Sequence, residues 1–136
     1  NVYVAYVSMG TNPAATVKAF NEAENYNGPA IIIAYAHCIE QGLLTKTGPA
    51  HQKAAVDSVH FPLWTYNPTT GKLKLDSADK SDTVSFAKNA ISKELGENRF
   101  KQLVKKVGPE KAEQMLQTAE QGFKENYALL KKLSEM

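Results

Sequence analysis

Two short apolar runs separated by a capped amphipathic segment constrain this chain more than any other feature. Val2-Tyr3-Val4-Ala5-Tyr6-Val7-Ser8 is rich in β-branched and aromatic residues and apolar at nearly every position, which predicts a strand covered on both faces. Met9-Gly10-Thr11 turns the chain, and Asn12-Pro13 supplies an N-cap followed by a residue suited to the first helical position. Ala14, Val17, Phe20 and Ala23 then recur at helical spacing, with Lys18, Glu22 and Glu24 facing outward. Asn27-Gly28-Pro29 ends that helix, and Ala30-Ile31-Ile32-Ile33-Ala34-Tyr35 reads as a second buried strand. Strand, helix and strand in this order form the right-handed crossover of a parallel sheet, so the fold class is α/β.

Downstream the pattern changes. Gln41 to Pro49 holds two glycines and a proline and reads as a loop, followed by a helix over Ala50 to Val59. The aromatic run His60 to Tyr66 and the alternating Lys72-Leu73-Lys74-Leu75 flank the turn Asn67-Pro68-Thr69-Thr70-Gly71, which predicts an edge hairpin. Asp76 to Asp82 is polar linker. Short helices follow over Thr83 to Leu95 and Glu97 to Val107, and Gly108-Pro109 opens the last helix. Ala112, Met115, Leu116, Ala119, Phe123, Tyr127, Leu130 and Leu133 form its apolar face, with Lys131 and Lys132 at the carboxyl end, where cations suit the helix dipole. The expected organisation is an α/β part over residues 1–76 and a helical tail over 77–136 packing on it.

Several function classes are disfavoured by what the chain contains. At 136 residues, 43% hydrophobic and 22% charged, it fits one soluble globular core, and a formal charge of +2 is too small to argue for nucleic acid or an anionic membrane. The longest apolar stretch, Ala30 to Ala36, falls far short of the roughly 20 residues of a membrane span. No Gly-x-Gly-x-x-Gly follows a strand, no Walker A run is present, and His37, His51 and His60 are scattered rather than spaced for a metal. Ser8 lacks a Gly-x-Ser-x-Gly elbow and reads as a turn serine bonded to local backbone. Lys101, Lys105 and Lys106 read as a solvated helix face, and Phe61, Trp64 and Tyr66 as packing between sheet and helix. No catalytic residue is assigned. A chain that opens directly on a strand leads to the expectation that an ordered part of a longer protein precedes Asn1.

Cys38 is the only cysteine, so no internal disulfide can form, which suits a reducing cytoplasm. It stands just past the second strand's carboxyl end, where open α/β sheets place their chemistry. The residues alone leave three roles open: metal or cluster ligand, reactive thiol, or small buried hydrophobe. His37 beside it could tune a thiolate, although neighbours on an extended chain point to opposite faces.

A resemblance adds to this. Val4-Ala5, Val7-Ser8-Met9-Gly10, Lys18-Ala19-Phe20, Glu22-Ala23-Glu24, Tyr26, Gly28-Pro29, Ile32-Ile33-Ala34-Tyr35, Cys38-Ile39 and Gly42 follow one another as in the carboxyl-terminal part of pyruvate:ferredoxin (or flavodoxin) oxidoreductases. Pro62-Leu63, Tyr66, Pro68, Gly71-Lys72, Leu75-Asp76-Ser77 and Glu97-Asn98-Arg99 continue the similarity, so it covers almost the whole chain.

The resemblance implies part of a thiamine diphosphate-binding layered α/β fold. In that family a Gly-Asp-Gly motif and an asparagine-containing loop hold the cofactor's pyrophosphate and Mg2+; both are absent here and are expected before Asn1. It also implies a four-iron, four-sulfur (4Fe-4S) cluster with three cysteine ligands far upstream and Cys38 as the fourth. The family commonly has Ser-Pro before this cysteine, whereas Ala36-His37 stands here, and a histidine could donate a hydrogen bond toward a cluster sulfur. The parent enzyme would oxidatively decarboxylate pyruvate with coenzyme A and pass electrons to ferredoxin or flavodoxin, with a homodimer partner. The 136 residues alone are expected to be inactive and to bind none of these cofactors. Alternatives are the β-type subunit region of another 2-oxoacid:ferredoxin oxidoreductase, and a non-catalytic scaffold whose Cys38 is a core residue.

Overall fold

A computed structural model describes every residue from Asn1 to Met136 and has the expected α/β class. Strand β1, Tyr3–Val7, runs into helix α1, Pro13–Asn25, and returns as β2, Ala30–Ala34, parallel to β1 and in the register Tyr3↔Ala30 to Val7↔Ala34. The Asn12 side chain accepts a hydrogen bond from the Ala15 N–H at 3.0 Å, so the helix starts where its cap predicts. After α2 (Gly48–Asp57), β3 (Trp64–Asn67) and β4 (Lys72–Leu75) form the hairpin, and β3 pairs antiparallel with β1. The sheet order is therefore β2-β1-β3-β4: the later hairpin occupies the inner side of β1 and leaves β2 on an edge.

That order overturns two expectations of burial. Instead of a buried strand, β2 is an edge strand, with Ile31 51% and Ile33 37% exposed. Nor is β1 covered on both faces. Tyr3, Ala5 and Val7 are buried against α1, while Val4 and Tyr6 are only half-buried. Cross-strand partners share a face, so Val4, Tyr6, Trp64, Tyr66, Leu73 and Leu75 stand together with Ile31 and Ile33 on the side away from α1. On α1, Thr16 and Ala19 are buried and Ala23 packs on the same cluster, whereas Val17 and Phe20 are both 52% exposed. Small residues bring the helix close to the strands and rotate the larger apolar pair outward. Glu22, placed on the outward side from sequence, instead accepts the Tyr3 hydroxyl at 3.0 Å.

The remaining helices are α3 (Phe86–Ala90), shorter than the Thr83 to Leu95 expected, α4 (Asn98–Val107) and α5 (Pro109–Ser134). A second apolar cluster of Phe86, Ala87, Ala90 and Leu116 joins them, with Phe100, Leu103, Ala119 and Phe123 packed against it. Of the face assigned to α5, Ala112, Leu116, Tyr127 and Leu130 are buried, while Met115 and Leu133 are exposed. The Tyr127 hydroxyl donates to the Ser77 carbonyl at 2.8 Å and ties the long helix to the end of the hairpin.

Glu120 on α5 caps α3 across the gap, accepting from the Ser85 hydroxyl at 2.8 Å and the Ala87 N–H at 3.0 Å. Burial raises its pKa, but the Ala87 and Ser85 bonds and the Lys124 charge outweigh it and hold the carboxyl below its ordinary value of 4.5. Since the unfolded chain takes up this proton first as the pH drops, the stabilisation is present above about pH 4.5 and is lost as the pH falls through the lower folded value. Glu120→Ala should cost about 1.5–3 kcal/mol at pH 7, the range for bonds to a charged group. Urea unfolding at pH 7 and at pH 3 checks this, with the difference from the native sequence shrinking at the lower pH.

Candidate site at the carboxyl ends of the parallel strands

The carboxyl ends of β1 and β2 bring the turn Ser8-Met9-Gly10 beside the segment Ala36-His37-Cys38, because parallel neighbours end on the same side of the sheet. Between them enters Gln52 from α2, a buried side chain. Its Oε1 accepts from the Ser8 hydroxyl at 2.8 Å and the Gly10 N–H at 2.9 Å, and its Nε2 faces His37 Nδ1 at 3.1 Å. A Cβ on Gly10 would lie 2.6 Å from Gln52 Oε1, so a larger residue there would require the Gln52 amide to shift. Ser8 does more than the local bonding its sequence context predicts: besides accepting from Thr11 and Asn12 N–H through its carbonyl, it is fully buried and bonded across 44 positions to Gln52.

Cys38 has extended backbone, φ −124° and ψ 124°, and heads a short 3-10 turn over Ile39–Gln41. Its thiol is free and exposed in this segment. The turn closes on Gly42 at φ 81°, where a Cβ would meet Asn98 Oδ1 at 2.8 Å. Asn98 Nδ2 donates to the Glu40 carbonyl at 3.3 Å, and the Arg99 N–H donates to Gln41 Oε1 at 3.0 Å. The Cys38 loop is thus held on one side by α2 and on the other by the start of α4.

Behind the loop lies a buried polar seam. His51 Nδ1 stands 2.9 Å from the Leu95 carbonyl, which only accepts, so Nδ1 carries a proton, and in the neutral ring Nε2 accepts from the Tyr35 hydroxyl at 2.9 Å. The Glu97 carboxylate, buried and bound by the Arg99 guanidinium, comes within 3.7 Å of His51 Nε2. Burial, reinforced by the Glu97 charge and opposed by Arg99, pushes the Tyr35 hydroxyl up to about 12. Burial also lowers the pKa of His60, whose Nδ1 has no hydrogen-bond partner, with Glu97 opposing and Arg99 and His51 adding. The three histidines that look scattered in sequence therefore play separate parts: His37 on Gln52, His51 in the seam, and His60 between Phe86 and Phe123 at centroid distances of 4.7 and 4.6 Å.

Phe61 and Trp64 pack on neighbouring rings of the sheet and of Tyr35. Tyr6 stacks on Trp64 at 4.6 Å and touches Phe61 at 5.2 Å, and Phe61 lies 5.0 Å from Tyr35. The largest concavity, an open groove of about 1110 Å3 between α1 and the hairpin, does not include Cys38 and is lined by self-neutralising pairs such as Lys18 with Glu22 and Lys74 with Asp76.

As a donor set, the chain's single thiol is at most one of the four thiolates that a cubane cluster takes, and no group of three or more His, Cys, Asp or Glu side chains is arranged here to hold a metal ion. One free, exposed thiol is compatible with one corner of such a cluster. No helix is long and apolar enough to cross a membrane. Sequence reasoning singles out Cys38, which does stand just past β2, but gives no role to Gln52 or Asn98, whose partners lie 15 to 58 positions away and leave no local pattern.

No protein-family model matches the chain. Individual relatives do. The chain is 45% identical over 123 residues to a pyruvate-flavodoxin oxidoreductase of Nostoc sp., an alignment covering 88% of the chain and 10% of the relative. It is 41% identical over 137 residues to the pyruvate:ferredoxin oxidoreductase of Moorella thermoacetica, covering 98% of the chain and 11% of that protein. A shorter match, 48% over 86 residues, is to a mitochondrial pyruvate dehydrogenase [NADP(+)] of Euglena gracilis, over 57% of the chain and 5% of the relative. The chain spans about a tenth of the length of the first two relatives, and as that segment it belongs to the family of pyruvate-flavodoxin and pyruvate:ferredoxin oxidoreductases.

Proposed function

We propose that this chain is part of an oxidoreductase that converts pyruvate and coenzyme A to acetyl-CoA and CO2, releasing two electrons singly to ferredoxin or flavodoxin, and that Cys38 is one cysteine ligand of a 4Fe-4S cluster. The observation that carries this is the placement of Cys38: an exposed thiol on a loop anchored from both sides at the carboxyl edge of a parallel strand pair. The names of the relatives support the substrate and the acceptor class. In such an enzyme thiamine diphosphate with Mg2+ supplies the carbanion-stabilising chemistry and iron–sulfur clusters supply one-electron transfer. This chain's part is to hold one cluster corner on a stiff loop. The thiamine pyrophosphate has no Gly-Asp-Gly motif to bind within it, so the groups that hold that cofactor belong to other parts of the polypeptide.

Residues 1–76 form the α/β part of this unit and 77–136 a helical tail whose Asn98 and Arg99 reach back to the cluster loop. The exposed Ile31, Ile33, Val17 and Phe20 fit burial against further polypeptide, in a protein about ten times as long as this chain like its relatives. A free thiol of this kind suits the reducing cytoplasm. The 136 residues alone should be colourless and inactive: purified by themselves, they should show no iron–sulfur absorbance and no pyruvate oxidation after reconstitution with iron and sulfide. A brown, pyruvate-oxidising preparation of the isolated chain would contradict the assignment of a partial ligand set.

A further inference from the structure

The orientation of the Gln52 amide follows from its neighbours. The Gly10 N–H can only donate, so the atom 2.9 Å from it is the amide oxygen, and the NH2 group must face His37 Nδ1. An NH2 group can only donate, so Nδ1 accepts and neutral His37 carries its proton on Nε2. The ring lies against the start of α2, where a Cβ on Gly48 would fall 2.2 Å from its Cε1. One buried side chain thereby joins the end of β1, the start of α2 and the residue immediately before Cys38.

We propose that Gln52 is the positioning residue of the Cys38 loop: by bonding Ser8, Gly10 and His37 at once it fixes the His37 tautomer and the direction in which the Cys38 thiol is presented. The consequence for a cluster rests on the ligand assignment made above; the consequence for the loop does not. Gln52→Leu removes all three bonds with similar side-chain volume. Gln52→Glu keeps both acceptor contacts to Ser8 and Gly10 but turns the third around, because a carboxylate facing Nδ1 requires a proton on that nitrogen.

The test uses the full-length polypeptide that carries this chain. Hydrogen exchange followed by mass spectrometry should show residues 36–42 exchanging about tenfold faster or more in Gln52→Leu, with α5 unchanged, and protection restored in Gln52→Glu. Redox titration of the cluster should give a shifted potential in Gln52→Leu. Unchanged exchange over 36–42 in Gln52→Leu, or a cluster potential left at its native value, would overturn the positioning role. A Cys38→Ser protein that retains its full cluster would defeat the ligand assignment instead, and the exchange measurement would still decide the role of Gln52.

Discussion

Cys38→Ser in the full-length polypeptide should remove one 4Fe-4S cluster and lower pyruvate-dependent acceptor reduction by more than about 100-fold. A serine hydroxyl keeps the size of the thiol but ionises far less readily and offers a hard oxygen to soft iron, so the cluster corner is lost rather than retuned. The bound is set by comparison, since losing a supporting contact around a metal typically costs about 10–100-fold. His37→Ala, which removes the Gln52 contact but leaves the thiol, should therefore stay within that smaller range. Iron analysis and low-temperature electron paramagnetic resonance check the cluster directly. Complete iron content with native spectra in the serine protein would show that Cys38 binds no cluster.

Phe86→Ala should unfold the helical half most severely. Phe86 is only 7% exposed and meets three rings, His60 at 4.7 Å, Phe123 at 4.8 Å and Phe100 at 5.5 Å, the last two edge-on at 90° and 87°. Truncating a buried phenylalanine costs about 3–5 kcal/mol. A chain of this length is expected to have only about 7–20 kcal/mol of total stability. The loss also opens the seam, because His60 would face an unfilled cavity with its Nδ1 already lacking a partner. Urea unfolding of the chain should show the midpoint falling with little change in slope. Phe86→Leu retains most of the volume and forfeits chiefly the edge-to-face contacts, worth about 0.5–1.5 kcal/mol per ring pair. An alanine variant within 1 kcal/mol of native would mean that the cluster does not hold α3 on α5.

The contrast between these two sites shows where sequence carries structural information. The β1-α1-β2 unit was legible because its signals are local: Asn12 caps, Pro13 starts, and Gly28-Pro29 stops. The hairpin was legible for the same reason, from the turn at Asn67 to Gly71. Burial was not, because it depends on which strand ends up beside which. Three successive isoleucines read as an interior strand, yet β3 takes the inner position next to β1 and leaves them at the edge. Hydrophobicity likewise favours Val17 and Phe20 with Ala23 as the inward face of α1; Ala23 does pack there, but close approach to the strands selects Thr16 and Ala19 in place of the other two.

The site divides in the same way. Cys38 is singled out by its place after a strand and by the ordered resemblance on both sides of it. The residues that hold its loop were not, since hydrogen bonds from Gln52 and Asn98 join segments far apart in the chain. The Glu97-Asn98-Arg99 run, noted first only as part of the resemblance, proves to touch both the Cys38 loop and the buried seam behind it. Side chains that act at a distance in sequence leave their mark only in the folded chain.

The central claim is that this chain is one segment of a pyruvate-oxidising, iron–sulfur enzyme. It is tested most directly by assaying the full-length polypeptide for reduction of ferredoxin or flavodoxin by pyruvate. Reduction that requires both pyruvate and coenzyme A, with one CO2 released for every two electrons delivered, is the predicted result. A cluster-loaded, folded polypeptide that reduces neither acceptor with pyruvate, or that does so only with a different 2-oxoacid, would contradict it.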